Sequence, residues 1–256
     1  MFIRNLSRII LVILAVGLLV TALVLLQPGW LIAIIARQSP EVIYSVEIEE
    51  PVVALTIDDG PDSITTPKIL DLLEQHQARA TFFLITNHIS GNEAIVTQIV
   101  QNGHEIGNHL TADEPSITLP AAEFERKLAE AHHSLGRFAE VRWFRPGSGW
   151  YNGDMLSTAQ KYGYKTVLGS VYPYDPWIPS AWFATFQIQA NVESGSIIIL
   201  HDNGSRGERT LVALTAILPV LTRRGFRVVT LSDLADLSTP QPVEIRELTG
   251  TQRKEK

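Results

Sequence analysis

Cysteine is absent from the 256-residue chain, which excludes disulfides, thiolate catalysis and cysteine-ligated zinc. A basic surplus is missing too. Lys+Arg number 21 against 27 Asp+Glu, a formal net charge of −6, so no nucleic-acid partner is expected, because phosphate binding usually needs a positive face. No internal repeat or low-complexity segment occurs. Charged residues make up only 19% beside 45% hydrophobic, which rules out a disordered chain or a coiled coil.

What is present is enough chain for one large domain with appendages. The mean hydropathy of +0.11 is high for a soluble domain, and most of the excess sits at the N-terminus. Residues 9–26 carry no charge over 18 positions, at the lower end of what spans a bilayer as a helix. The run is longer than the core of a signal peptide, and no small-x-small site precedes Pro28. Arg4 and Arg8 lie ahead of it and Trp30 follows it, which predicts a cytoplasmic N-terminus with the rest of the chain outside. A single-pass signal-anchor is therefore expected over residues 1–40, with secretion after cleavage as the alternative. A linker is read at 41–50, the main domain at 51–237 and a polar, disordered tail at 238–256.

In the main domain, short apolar runs alternate with amphipathic stretches. Strands are predicted at 52–57, 80–85, 104–107, 142–145, 165–168, 196–200 and 227–231. Helical periodicity covers 67–77, 121–138, 154–162 and 209–224. Pro67 and Pro120 are placed to start helices, Gly163 and Gly225 to end them. The alternation argues for a parallel α/β fold; open doubly wound sheets and closed barrels both fit it.

Five segments carry candidate chemistry. Thr56-Ile57-Asp58-Asp59-Gly60-Pro61 puts two carboxylates at the end of an apolar strand, where parallel α/β folds place their sites. A turn at Gly60-Pro61 would bring both into one pocket, where like charges need a cation or an arginine to offset them; a solvated loop has the same composition. In Gly103-His104-Glu105-Ile106-Gly107-Asn108-His109-Leu110-Thr111-Ala112-Asp113, His109 and Asp113 are four apart, which on a helical turn aims both at one spot. Imidazole plus carboxylate suits a divalent ion such as Zn2+, and Asp59, His109 and Asp113 together would leave a position open for water. A surface contact is the plain alternative, and His104 reads as a core or supporting histidine. Phe144-Arg145-Pro146-Gly147-Ser148-Gly149-Trp150 offers a fixed cation and close backbone N–H groups, or merely a loop arginine paired with an acid. Tyr172-Pro173-Tyr174-Asp175-Pro176-Trp177 crowds aromatics around one acid, as a sugar site or a cap on the core does. Ile197-Ile198-Ile199-Leu200-His201-Asp202 ends a buried strand in a histidine, placed for acid–base work near neutral pH or for a structural role.

In this order the five segments resemble the polysaccharide deacetylases of carbohydrate esterase family 4, the NodB-homology domain. That pattern reads T-F-D-D-G, H-[ST]-x-x-H, R-x-P-Y, an Asp-Trp motif and L-x-H. The resemblance covers residues 51–237 and implies a distorted (β/α) barrel of seven to eight strands with its site at the C-terminal face. It implies Asp58 as general base, Asp59 and His109 as metal ligands, Arg145 as the residue that orients Asp58, and His201 as general acid supported by Asp175. The Ser148 N–H would be the oxyanion donor, Trp177 would wall the substrate groove, and Trp150 and Tyr174 are expected beside it. The cofactor implied is a divalent metal, Zn2+ first, with Co2+, Mn2+ and Mg2+ as competitors.

The departures are specific. Asp113 stands where the family has its second metal histidine, although a carboxylate still suits zinc at about 2.0–2.2 Å. Leu110 replaces a Ser/Thr, Gly147-Ser148 replaces Pro-Tyr, and Pro176 separates Asp175 from Trp177. The activity implied is metal-dependent removal of acetyl groups from N- or O-acetylated sugars of a cell-envelope or extracellular glycan. The partners expected are that glycan and the membrane, with no protein partner evident. The alternatives are a membrane-tethered glycan-binding pseudoenzyme and a metal-dependent hydrolase of a non-glycan amide; an aspartyl-nucleophile phosphatase lacks its spaced acid pair here.

Overall fold

The computed structural model describes residues 2–238, with side chains from residue 8 onward except at positions 22 and 24. Of the polar tail expected at 238–256, all but Ser238 lies outside the described residues. Eight strands form one parallel sheet: β1 (Val42–Ile43), β2 (Val52–Asp58), β3 (Ala80–Leu84), β4 (Glu105–Asn108), β5 (Trp143–Phe144), β6 (Lys165–Val167), β7 (Ile197–His201) and β8 (Arg227–Val229). Their order is β1-β6-β5-β4-β3-β2-β7, with β8 beside the first half of β2. Bridges at Ser45↔Ser196 and Val171↔Ile198 draw the far side of the sheet towards β7. The result is a curled half-barrel rather than an open doubly wound sheet. All seven strands expected from the sequence occur. β1 lies within the stretch read as a linker and pairs Val42 with Thr166.

β2 shows how the chain decides inside from outside. All of its residues are buried, as the central strand of a parallel sheet requires. Successive side chains alternate between faces. Val53, Leu55 and Ile57 pack with Ile69, Leu73, Leu214 and Leu221 beneath helices α3 (Thr65–Gln75) and α8 (Ser205–Arg223). Val52 and Ala54 face the other way, with Phe83, Trp143, Val167 and Ile197 inside the curl. Each fully buried Val, Leu or Ile contributes about 1.5–3 kcal/mol. The alternation that puts Ala54 inside also puts Thr56 and Asp58 there, so the last turn of the strand carries polar groups into an apolar interior.

The other helices are α4 (Glu93–Gln101), α5 (Ala121–Leu135), α6 (Gly153–Lys161), α7 (Ala181–Asn191) and α9 (Leu231–Leu237). Gly163 and Gly225 follow α6 and α8 at φ 81 and 83, the left-handed stop that glycine adopts without strain. Ahead of the sheet run α1 (Phe2–Leu26) and α2 (Gly29–Gln38). Among the described residues no helix is long and apolar enough to cross a membrane. Side chains of α1 are described without interruption only over residues 8–21, so the expected span at 9–26 falls partly outside them. The end of α1 is tied to the domain: Gln27 Oε1 accepts from the Tyr172 N–H at 2.9 Å, and the Gln187 amide donates to the Leu25 carbonyl.

Candidate active site

The site lies at the carboxyl ends of β2, β4, β5 and β7. Asp58 ends β2 and is 3% exposed; it would be an isolated buried charge without Arg145, itself 2% exposed. Arg145 follows β5 and reaches across the curl, its Nη1 donating to Asp58 Oδ1 at 2.6 Å and to Thr56 Oγ1 at 2.7 Å. Its Nε and Nη2 donate to the carbonyls of Val167 and Leu168, and its guanidinium stacks 4.2 Å above the Phe83 ring. Only a planar five-donor cation satisfies this set. The carboxylate is therefore held in one orientation.

Asp59 turns the chain. Its φ of 72 is a left-handed conformation that aspartate tolerates better than most residues, and it sends the side chain to the mouth of the half-barrel. The sequence placed this reversal at Gly60-Pro61; it occurs one residue earlier. The Asp59 carbonyl accepts from His88 Nδ1 at 2.8 Å. Its Oδ1 lies 3.5 Å from His109 Nε2 and its Oδ2 2.5 Å from Arg206 Nη1. Burial pushes the Asp59 carboxyl up, but the His109 bond and the positive fields of His109, His201 and Arg206 hold it well below the usual carboxylate range.

β7 supplies the second charge pair. Register places His201 beside Asp58, and His201 Nδ1 lies 3.0 Å from both carboxylate oxygens of Asp175. Asp175 is 2% exposed and also accepts from the His201 N–H at 3.1 Å. Burial alone would lower the imidazole, yet the carboxylates of Asp175, Asp58 and Asp59 raise it to about 9. At neutral pH this ring carries a proton to give. Tyr172 stacks edge-on against it, centroids 6.1 Å apart.

His109 and Asp113 depart from expectation. They do not share a helical turn: β4 ends at Asn108, and Leu110 takes a φ of 62 with its N–H on Asn108 Oδ1. His109 goes inward, 7% exposed, its Nδ1 on the Arg145 carbonyl at 2.7 Å. Asp113 stays at the rim with half its side chain exposed, and its carboxylate meets Arg206 Nη1 at 3.0 Å. His104 is a core histidine, accepting from the Ala80 N–H, and burial lowers it to about 4.

These placements decide how the residues fit a divalent metal. Asp59 and His109 do fit. A separation of 3.5 Å matches two corners of a tetrahedron whose metal–ligand bonds are about 2.0–2.2 Å. His109 also turns its other nitrogen to a carbonyl, as metal-binding histidines do. Asp113 does not join them. One nitrogen of Arg206 touches both Asp59 and Asp113, and among the described residues no three His, Cys, Asp or Glu side chains are grouped to hold a metal. As folded, Asp59 and His109 face each other, and the third expected ligand, Asp113, is engaged by an arginine.

The remaining expected residues lie on loops at the same end. Gly147 is pinned, since an added Cβ would stand 2.2 Å from the Glu114 carbonyl, and its N–H donates to Ser116 Oγ at 2.7 Å. Ser148 follows at φ 64 and is exposed, as is Trp150. Tyr174, at φ 58 and half-buried, turns the next loop. The inserted Pro176 is absorbed by a turn closed by the Trp177 N–H on the Tyr174 carbonyl, which leaves the Trp177 ring 76% exposed.

Sequence reasoning missed Arg206 and its setting. Asp62 accepts from the Gly204 N–H, and Asp202 accepts from the hydroxyls of Thr65 and Thr66. These bonds seat the start of α8 against the loop that follows β2. Gly207 has no room for a side chain, because a Cβ there would fall 2.4 Å from Asp202 Oδ1 and Thr65 Oγ1. Arg206 reaches Asp59 across 147 positions and Asp113 across 93, so no local spacing announces it.

A parallel half-barrel with a clamped carboxylate, an acid–histidine dyad and exposed aromatics at its strand ends defines a hydrolase of the sugar-modifying kind. The model of the family described as polysaccharide deacetylase matches residues 45–167. A peptidoglycan-N-acetylglucosamine deacetylase of Bacillus cereus is 37% identical over 75% of this chain and 92% of its own length. A chitooligosaccharide deacetylase of Sinorhizobium fredii is 33% identical over 69% and 88%. Among solved structures, the Bc1960 peptidoglycan N-acetylglucosamine deacetylase superposes with a TM-score of 0.72 at 33% identity, over 78% of this chain and 95% of that one. A CE4 family pseudoenzyme from Bacillus anthracis superposes with a TM-score of 0.70 at 26% identity, over 78% and 70%. The chain belongs to the polysaccharide deacetylase family.

Proposed function

We propose that this protein hydrolyses the acetyl groups of N-acetylated (or O-acetylated) sugars in a cell-envelope or extracellular glycan. The observation that carries the reading is the pairing of two differently tuned groups across one strand register. Asp58, fixed by Arg145, is the acceptor for the proton of the attacking water. His201, charged and held by Asp175, is the donor for the departing amine or alcohol. The N–H of Ser148, on an exposed loop residue, supplies a donor for the oxyanion of the tetrahedral intermediate. Trp150, Tyr174 and Trp177 offer faces on which pyranose rings stack. The products are acetate and a deacetylated sugar.

The charge-free stretch at 9–26, preceded by Arg4 and Arg8, supports an uncleaved anchor with the half-barrel on the extracytoplasmic side. An enzyme so placed meets envelope glycan. The test is acetate release from chitooligosaccharide and peptidoglycan by the full chain and by Asp58→Asn. Loss of at least about 100-fold with an unchanged fold is expected for removal of a general base; full activity in the variant would refute the assignment. A second reading, a glycan-binding pseudoenzyme on this fold, is favoured by Arg206 standing between Asp59 and Asp113. It is distinguished by glycan binding without acetate release from the unaltered protein.

A further inference from the structure

We propose that Arg206 is a built-in cation that keeps the Asp59–His109–Asp113 cluster closed to a divalent metal held by both carboxylates, so that such an ion enters only by displacing it. The inference rests on the deacetylase reading of the same site. One guanidinium nitrogen lies 2.5 Å from Asp59 Oδ2 and 3.0 Å from Asp113 Oδ2. To bridge these two oxygens, a metal must take the place of that nitrogen. The arginine already supplies what the two anions need, a positive charge with directed donors.

Displacement is feasible because of where Arg206 sits. It occupies the first turn of α8, next after Ser205, with a third of its side chain exposed. Its guanidinium has water to move into, unlike that of the buried Arg145. The start of α8 stays put when it leaves, since the Asp62 and Asp202 bonds that seat it do not involve Arg206. His109 gives the metal a ligand atom beside Asp59. A carbonyl only accepts, so Nδ1 carries the hydrogen donated to Arg145, and Nε2 then faces the Asp59 carboxylate at 3.5 Å. A metal between Nε2 and Asp59 takes the place of the proton through which the ring meets the carboxylate. Arg206 serves Asp59 and Asp113 from the other side and does nothing for Nε2.

The experiment is a titration of the full-length protein with Co2+ or Zn2+ alone, by calorimetry and by the visible spectrum of bound Co2+. Arg206→Gln removes the charge and keeps a polar chain of similar reach. It is expected to bind Co2+ on the order of tenfold or more tightly than the unaltered protein, with Arg206→Lys, a compact single-point cation, in between. A thermal unfolding scan identifies any variant that has failed to fold, and Arg206→Lys then serves as the comparison. Equal affinity in all three proteins overturns the proposal. So does weaker binding by Arg206→Gln, which would make the arginine a support of the site, and so does absence of binding throughout. Because the readout is metal affinity, failure here leaves the deacetylase reading standing, and that reading fails separately if no acetate is released.

Discussion

Replacing Asp175 by asparagine removes the charge that faces His201 while keeping the side chain's shape. Both carboxylate oxygens stand 3.0 Å from His201 Nδ1, a distance at which two unit charges interact by about 5 kcal/mol at an effective dielectric of 20. Part of that is offset by desolvation, and opposite charges this close commonly shift a pKa by about 1–3 units. A fall of roughly 2 units takes His201 from about 9 to about 7. At pH 8 the protonated fraction then drops from roughly nine-tenths to roughly one-tenth, and a rate that needs the imidazolium falls about tenfold. The assay is the pH profile of kcat/KM for acetate release, whose basic limb should move from near 9 to near 7. Stability follows the same pair. Because the folded state raises His201 above its ordinary 6.5, the stabilisation is complete below that pH and disappears as pH rises through about 9, amounting to about 3 kcal/mol at most. The difference in Tm between the two proteins should therefore be widest at pH 6 and close above pH 9. A basic limb that stays near 9 in Asp175→Asn refutes the reasoning.

Other consequences are as specific. Arg145→Leu leaves Asp58 buried and unpaired, and urea unfolding should show a loss of about 3–5 kcal/mol, as for other broken buried ion pairs; a loss under 1 kcal/mol would contradict the clamp. Trp177→Ala, at a ring that is 76% exposed, should leave stability within about 0.5 kcal/mol while raising KM for long oligosaccharides more than for the monosaccharide. An equal KM change for both would remove Trp177 from the glycan-binding face.

Much of this molecule is legible in its sequence because burial writes itself into composition. Strands covered on both faces must be apolar throughout, which is why 52–57, 80–85 and 196–200 stand out. β1 has two residues, too few for any periodicity to register, and its place is fixed by pairing with β6. α7 escaped because its aromatics, Trp182 and Phe186, are exposed while Gln187 is buried, so its polar and apolar residues do not separate by face. The charge pairs were legible in part: Asp58 and Arg145, like Asp175 and His201, sit at the ends of recognisable runs in a fixed order.

The identities of the acids, bases and aromatics, and the apolar excess at the N-terminus, are set by the sequence alone, since composition and order need no folded partner. Which side of β2 each carboxylate faces, and which cation it meets, only the tertiary structure decides. A left-handed turn at Asp59 and another at Leu110 separate side chains that spacing would have grouped. Contacts across 87 positions join Arg145 to Asp58, and across 147 join Arg206 to Asp59. An ion pair depends on distance in space, and a chain of this length returns to the same point from places that no local pattern connects.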